Sequence, residues 1–92
     1  MSFELDVPWR LHPRVAVRPE RFGALLYHFD TRKLSFLKTP QLLDVVRALA
    51  DAPTARSACT DAGVSAEALP GVAVALDTLA RSQMIVRPPE ET

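Results

Sequence analysis

Cysteine is almost missing. Cys59 stands alone among 92 residues, so no intrachain disulfide can form. Neither an iron–sulfur cluster nor a cysteine-based zinc site can be built from this chain by itself, and nothing in the cysteine usage indicates an oxidising compartment. Glycine occurs only at positions 23, 63 and 71, which leaves no Gly-rich phosphate loop. No apolar run approaches the ~18 residues of a transmembrane helix. The N-terminus, MSFELDVPWR, places acids first and has no apolar signal core, so secretion is not expected and the cytoplasm is the expected location. Net charge is absent too: 11 Lys+Arg balance 11 Asp+Glu. That is not the strongly basic balance of a dedicated DNA binder.

Residues for chemistry are equally sparse. His12 lies in a Pro-flanked segment, and His28 falls on a strand, opposite in phase to Tyr27 and Phe29. Neither has a Ser, Cys or paired carboxylate at a useful spacing. Cys59 sits on a small apolar helix face and reads as buried rather than reactive. Glu90 and Glu91 form a tail, not an acid/base pair. The expectation is a protein that is not an enzyme, with no catalytic residue, no metal and no cofactor.

What the chain does have is a run from Phe22 to Pro40, FGALLYHFDTRKLSFLKTP. It reads as two strands, Ala24–Phe29 and Lys33–Leu37, joined by the turn Asp30-Thr31-Arg32. In the second of these, Leu34 and Phe36 point one way and Lys33 and Ser35 the other. A shorter alternating stretch, Arg14–Arg18, supplies an earlier strand with Val15 and Val17 inward. Thr39-Pro40 begins a helix that runs to about Ala50. Thr54 caps a short helix over 55–62, closed by Gly63 at its C′ position. Pro70 lies in the first turn of a third helix that ends near Ser82, with Val72, Ala75, Leu76, Leu79 and Ala80 as its apolar stripe. Met84, Ile85 and Val86 return extended to the core, and Trp9 and Leu11 cap it from outside. The fold class expected is α+β and winged-helix-like, an N-terminal three-stranded antiparallel sheet followed by three helices. Residues 1–92 form one domain, with 1–13 an irregular lead-in and 87–92 a frayed tail.

No strand-like segment directly follows Lys33–Leu37, which puts that third strand at a sheet edge. Charge is uneven around it: Arg10, Arg14, Arg18, Arg21, Arg32, Lys33 and Lys38 face only Glu20 and Asp30 between residues 10 and 38, a local +5. An open edge with a basic rim can recruit an acidic peptide as one more strand.

The stretch WRLHPRVAVRPERFGALLYHF, followed by RKLSFL, resembles the mycofactocin-system precursor-peptide chaperones. These are RiPP recognition elements (domains that recognise ribosomally made precursor peptides), similar to the pyrroloquinoline-quinone-system peptide chaperones. The resemblance runs from about Trp9 to Val86. Arg18-Pro19-Glu20, Phe22-Gly23 and Leu34-Ser35-Phe36-Leu37 carry most of it. It implies a chaperone that binds the leader of a ribosomally made peptide as a strand added to the third strand, in a groove walled by the third helix. It further implies that the peptide is then presented to a radical S-adenosylmethionine maturase. On that basis the peptide-binding residues expected are Arg32, Lys33, Leu34, Ser35, Phe36, Leu37, Val72, Ala75, Leu76, Leu79 and Arg81. Leu34, Phe36, Val72, Leu76 and Leu79 form floor and wall. Arg32, Lys33, Lys38 and Arg81 steer the leader, and Lys33 and Ser35 turn their side chains to solvent. Neither nucleic acid nor membrane is an expected partner.

Three alternatives remain. One is a winged-helix DNA-binding protein, although the third helix offers only Asp77 and Thr78 in its middle and no base before Arg81. A second is a structural subunit of a larger modifying enzyme. The third is a homodimer through the edge strand, since an open edge can pair with its own copy.

Overall fold

The computed structural model describes residues 3–89. In chain order the elements are β1 (Arg10–Leu11), β2 (Val15–Glu20), β3 (Gly23–His28), β4 (Leu34–Leu37), α1 (Pro40–Ala48), α2 (Ala55–Asp61), α3 (Leu69–Arg81) and β5 (Ile85–Val86). The α+β class with a three-stranded antiparallel sheet preceding three helices is as the sequence predicts. A second, two-stranded sheet is added to it. Among the described residues no helix is long and apolar enough to cross a membrane.

The main sheet has the order β2-β3-β4. Val15 pairs with His28 and Val17 with Leu26 at one interface, Leu26 with Ser35 and Ala24 with Leu37 at the other. Ala24, Leu26 and Leu37 are fully buried. They share one face of the sheet, because cross-strand partners lie on the same side. On that face α1 packs against β3 and β4, adding Leu42, Leu43, Val45 and Val46 to the core.

The first two helices start on local side-chain caps. The Thr39 hydroxyl accepts from the Leu42 N–H at 3.1 Å, with Pro40 in the first turn. Thr54 and Ser57 cap α2 reciprocally, each side chain accepting the other's backbone N–H. Two further first-turn donors of α2, the N–H groups of Ala55 and Arg56, reach the carbonyls of Val7 and Leu5. Both α2 and α3 end in a Schellman motif. In α2 the Val64 N–H donates to the Cys59 carbonyl and Gly63 has φ 79°. In α3 the Met84 N–H donates to Leu79, and Gln83 adopts the left-handed conformation at φ 61°.

The lead-in is more ordered than the sequence suggested. Arg10–Leu11 pairs antiparallel with Ile85–Val86. Phe3 is buried and stacks on Trp9 at 4.8 Å. Asp6 and Arg56 bridge the segment to α2 at 2.7 Å. Pro8 and Pro13 bracket a strand of two residues, too short for a periodicity to register. Its partner lies about 75 positions away, beyond any local signal. The tail expectation at 90–92 lies outside the described residues, and with it the Glu90-Glu91 tail.

Candidate functional site

Hydrogen-bond parity along β4 defines the site. The His28 N–H donates to the Lys33 carbonyl at 3.0 Å. In an antiparallel ladder, bonded and non-bonded pairs alternate. With this register, Leu26–Ser35 and Ala24–Leu37 are bonded pairs, while Tyr27–Leu34 and Leu25–Phe36 are not. The other ladder agrees. Phe29 donates to the Arg14 carbonyl at 2.9 Å, so on β3 the odd residues face β2 and the even ones face β4. The backbone groups of Leu34 and Phe36 therefore point away from the sheet, into the space beside β4.

That space is an open groove of about 770 Å³ between β4 and α3. Leu34 to Thr39 form one side, and Val72, Val74, Ala75, Thr78 and Leu79 stand on the helical side. The sheet's opposite edge differs. On β2 the parity turns residues 15, 17 and 19 outward, and position 19 is a proline with no N–H to offer. Proline at an outward edge position blunts pairing. The sheet thus has one edge open to a further strand along its length and one interrupted.

Of the residues expected from the sequence, Leu34, Ser35, Phe36, Leu37, Val72, Ala75 and Leu79 line the groove. Leu76 does not: it is wholly buried beneath it. Arg32 and Lys33 lie in the hairpin turn outside the lining, and Arg81 is ion-paired with Asp77 at 3.0 Å on the helix surface. Lys38, expected from the sequence to steer the leader, lines it too, as do Thr39, Gln41, Leu42, Ala68, Gly71, Val74, Thr78 and Ser82. Of these, Ala68, Gly71, Thr78 and Ser82 lie one turn from Val72, Ala75 or Leu79, whereas Val74 does not.

The facing of β4 is the reverse of the sequence expectation. Leu34 and Phe36 are 55% and 61% exposed, whereas Leu37 is fully buried and Ser35 half-buried. Leu37 pairs with Ala24 and Ser35 with Leu26, both on the core face, and this fixes the parity of the strand. Likewise the Ser35 N–H is engaged with β3 and is not free for a ligand.

Gly23 supports the end of β4. Its φ is 154°, and a Cβ there would overlap the Leu37 carbonyl oxygen and stand 2.8 Å from that of Thr39. Only glycine lets β3 and β4 meet at this corner. His28, buried at the other end of β3, holds the turn. Its Nδ1 accepts from the N–H of Asp30 at 3.1 Å and of Thr31 at 3.3 Å. Cys59 is buried as expected, and burial pushes its thiol pKa up, although the Arg56 charge opposes this. The Arg56 hydrogen bond holds the exposed Asp6 carboxyl below its ordinary value.

A small α+β domain with an unpaired sheet edge beside an apolar, helix-walled groove belongs to the class of binding modules. Among the described residues there is no cluster of His, Cys, Asp and Glu that could hold a metal ion. Comparison with known proteins is specific: the chain matches the Peptide chaperone MftB family over residues 8–86, and it belongs to that family. It is 59% identical to the peptide chaperone MftB of Mycobacterium ulcerans (strain Agy99) over 85 residues, 92% of this chain and 78% of the relative. It is 56% identical to that of Mycolicibacterium smegmatis over 86 residues, 94% and 84% of the two chains. With the Mycobacterium tuberculosis protein it shares 59% over 85 residues, 92% and 78%. No solved structure matches the chain. A peptide chaperone is a non-catalytic role.

Proposed function

We propose that this chaperone binds the leader of a ribosomally made precursor peptide as a fourth strand against β4. It then presents the peptide's remaining part to a radical S-adenosylmethionine maturase in mycofactocin biosynthesis, in the cytoplasm, with the whole chain acting as one recognition domain. The observation that carries this reading is the unpaired backbone of Leu34 and Phe36, aimed into the groove walled by α3. Leu34 to Leu37 supply the pairing edge; Val72, Ala75 and Leu79 supply apolar contact; Arg32, Lys33 and Lys38 contribute positive potential to an approaching acidic leader, while the charge of Arg81 is offset by Asp77. Long-range charge of this kind raises the association rate more than the affinity.

Energetics require both edge and groove. An added strand of four or five residues makes about four backbone hydrogen bonds at ~0.5–1.5 kcal/mol net each. Ordering the peptide offsets much of that. A micromolar complex needs about −8 kcal/mol. Burial of two Leu- or Val-sized leader side chains in the groove adds ~3–6 kcal/mol, the larger part of the remainder.

The test is a titration of isotope-labelled protein with the short peptide encoded beside it, followed by amide shifts. The expected result is perturbation concentrated at residues 34–38 and along the groove side of α3, at Val72, Ala75, Thr78 and Leu79. A folded spectrum that does not move on addition of the peptide refutes leader binding by this chain alone. That result would favour a subunit that works only when bound to a larger enzyme.

A further inference from the structure

Exposed large apolar side chains are few in this domain, and they are not scattered. Of the five among the described residues, Phe22, Phe29, Leu34 and Phe36 lie on or beside the outer face of the β2-β3-β4 sheet, the side away from the helices; the fifth, Val74, lies on α3. Leu25 and Tyr27 join the patch, since they pair with Phe36 and Leu34 and share their face. The rings touch: Phe22 lies 6.2 Å from Phe36, and Tyr27 meets Phe29 edge-on at 5.3 Å. Single exposed apolar residues need no explanation, but a contiguous patch on a small domain marks an interaction surface.

Charge says what kind of surface fits it. Arg14 stands over the Phe29 ring at 5.9 Å. Arg18 is the cross-strand partner of Leu25 and so shares the face. Arg21 and Arg32 lie in the flanking turns and have no acidic partner among the described residues. The acids nearby are Asp30, paired with Arg14, and Glu20, paired with Arg18. The rim therefore carries four cations against two acids. A second copy docking face to face would set excess positive charge against excess positive charge. An acidic rim around an apolar centre satisfies both features.

We infer that the outer face of the sheet is the surface by which the chaperone docks onto a folded partner with an acid-rimmed apolar patch, namely the enzyme that receives the peptide. This rests on the proposed peptide-binding role. The geometry also couples the two events. A leader added at β4 becomes the fourth strand of the same sheet, and its alternate side chains extend the outer face beside Leu34 and Phe36. The enzyme then meets a wider surface on the loaded chaperone than on the empty one. By linkage each ligand raises affinity for the other.

The experiment uses Phe29→Ser, on the face, and, separately, Arg21→Glu, in the turn that flanks it, neither in the groove. Affinity is measured for the precursor peptide and for the purified maturase, with and without peptide. Each variant is expected to bind peptide as the wild type does and the maturase about tenfold or more weakly. Wild-type maturase binding should weaken with salt and strengthen when peptide is present. Folded variants of either kind that keep full maturase affinity overturn the inference. So does a wild-type dimer that both variants abolish while maturase binding persists. Failure of the wild type to bind peptide is the separate failure of the underlying reading, and it is seen in the same titration. Arg21→Glu lies on an exposed turn, so it keeps the test decisive if Phe29→Ser does not fold.

Discussion

Proline placed at adjacent positions of β4 should have opposite effects on folding and binding. At Phe36 the N–H faces the groove, so Phe36→Pro removes no bond within the sheet. Its ring instead projects toward an incoming strand, and one peptide carbonyl is left without a donor. The lost hydrogen bond accounts for ~0.5–1.5 kcal/mol and the unsatisfied carbonyl for ~1–3 kcal/mol. Together they weaken peptide binding by about 2–4 kcal/mol, or about 30- to 1,000-fold. At Ser35 the N–H is bonded to Leu26. Ser35→Pro therefore takes the same ~2–4 kcal/mol from the fold itself. For a domain of this size each kcal/mol lowers Tm by about 4–8 °C, so the melt should drop by about 8–30 °C. The assay is peptide titration by calorimetry, paired with a thermal melt by circular dichroism. Phe36→Ala is the control, since it removes the exposed ring and keeps the N–H. The outward facing of the Phe36 N–H is refuted if folded Phe36→Pro binds peptide as well as Phe36→Ala does. It is equally refuted if Ser35→Pro melts like the wild type.

Other perturbations probe the supports of the site. Gly23→Ala should destabilise by about 3 kcal/mol or more, because the added methyl overlaps the Leu37 carbonyl oxygen; a chemical denaturation curve reads this directly, and an unchanged midpoint would contradict the packing described. Gln83→Gly should stabilise by about 0.5–1 kcal/mol by relieving the left-handed conformation at the end of α3, measured the same way. Cys59 should alkylate slowly with iodoacetamide in the folded protein and rapidly in denaturant. Its raised folded pKa also has a sign: the fold favours the neutral thiol, so the contribution is fully present below the ordinary thiol pKa of about 8.5 and is lost as pH rises above it. A Cys59→Ala variant should lose less stability on that alkaline limb than the wild type.

Much of the architecture was legible because its signals are local. Thr39-Pro40, Thr54 and Gly63 set helix ends through their own backbone and side-chain hydrogen bonds, which involve neighbours within a few positions. The alternation in 15–17 and the apolar run in 24–29 marked strands, and the absence of a strand after Leu37 marked the edge. The apolar stripe of the third helix was equally accessible, since Val72, Ala75 and Leu79 recur at helical spacing, while its part in a groove came from the family resemblance. Leu76 shares that stripe, yet it lies wholly in the core. A stripe with both a buried and a groove-lining flank cannot be divided without knowing where the neighbouring strand lies.

Pairing geometry was out of reach of local pattern. In β4 apolar residues occupy both faces, with Leu34 and Phe36 on one and Leu37 on the other, so alternation identified a strand but not its inward side. The choice came from β3, where Ala24 and Leu26 meet α1 and carry Ser35 and Leu37 inward with them. The same pairing decided which N–H groups are free. The strand pair of Arg10–Leu11 with Ile85–Val86 brings together the two ends of the chain, a contact made through backbone groups that every residue possesses. Sequence by itself determined the three strands of the main sheet, the three helices, their order, the capped helix ends and the family, because those depend on side-chain identity and near neighbours. Tertiary structure alone decided the facing of β4, its free hydrogen-bonding groups and the exposed outer face, because a one-residue shift in register inverts all three.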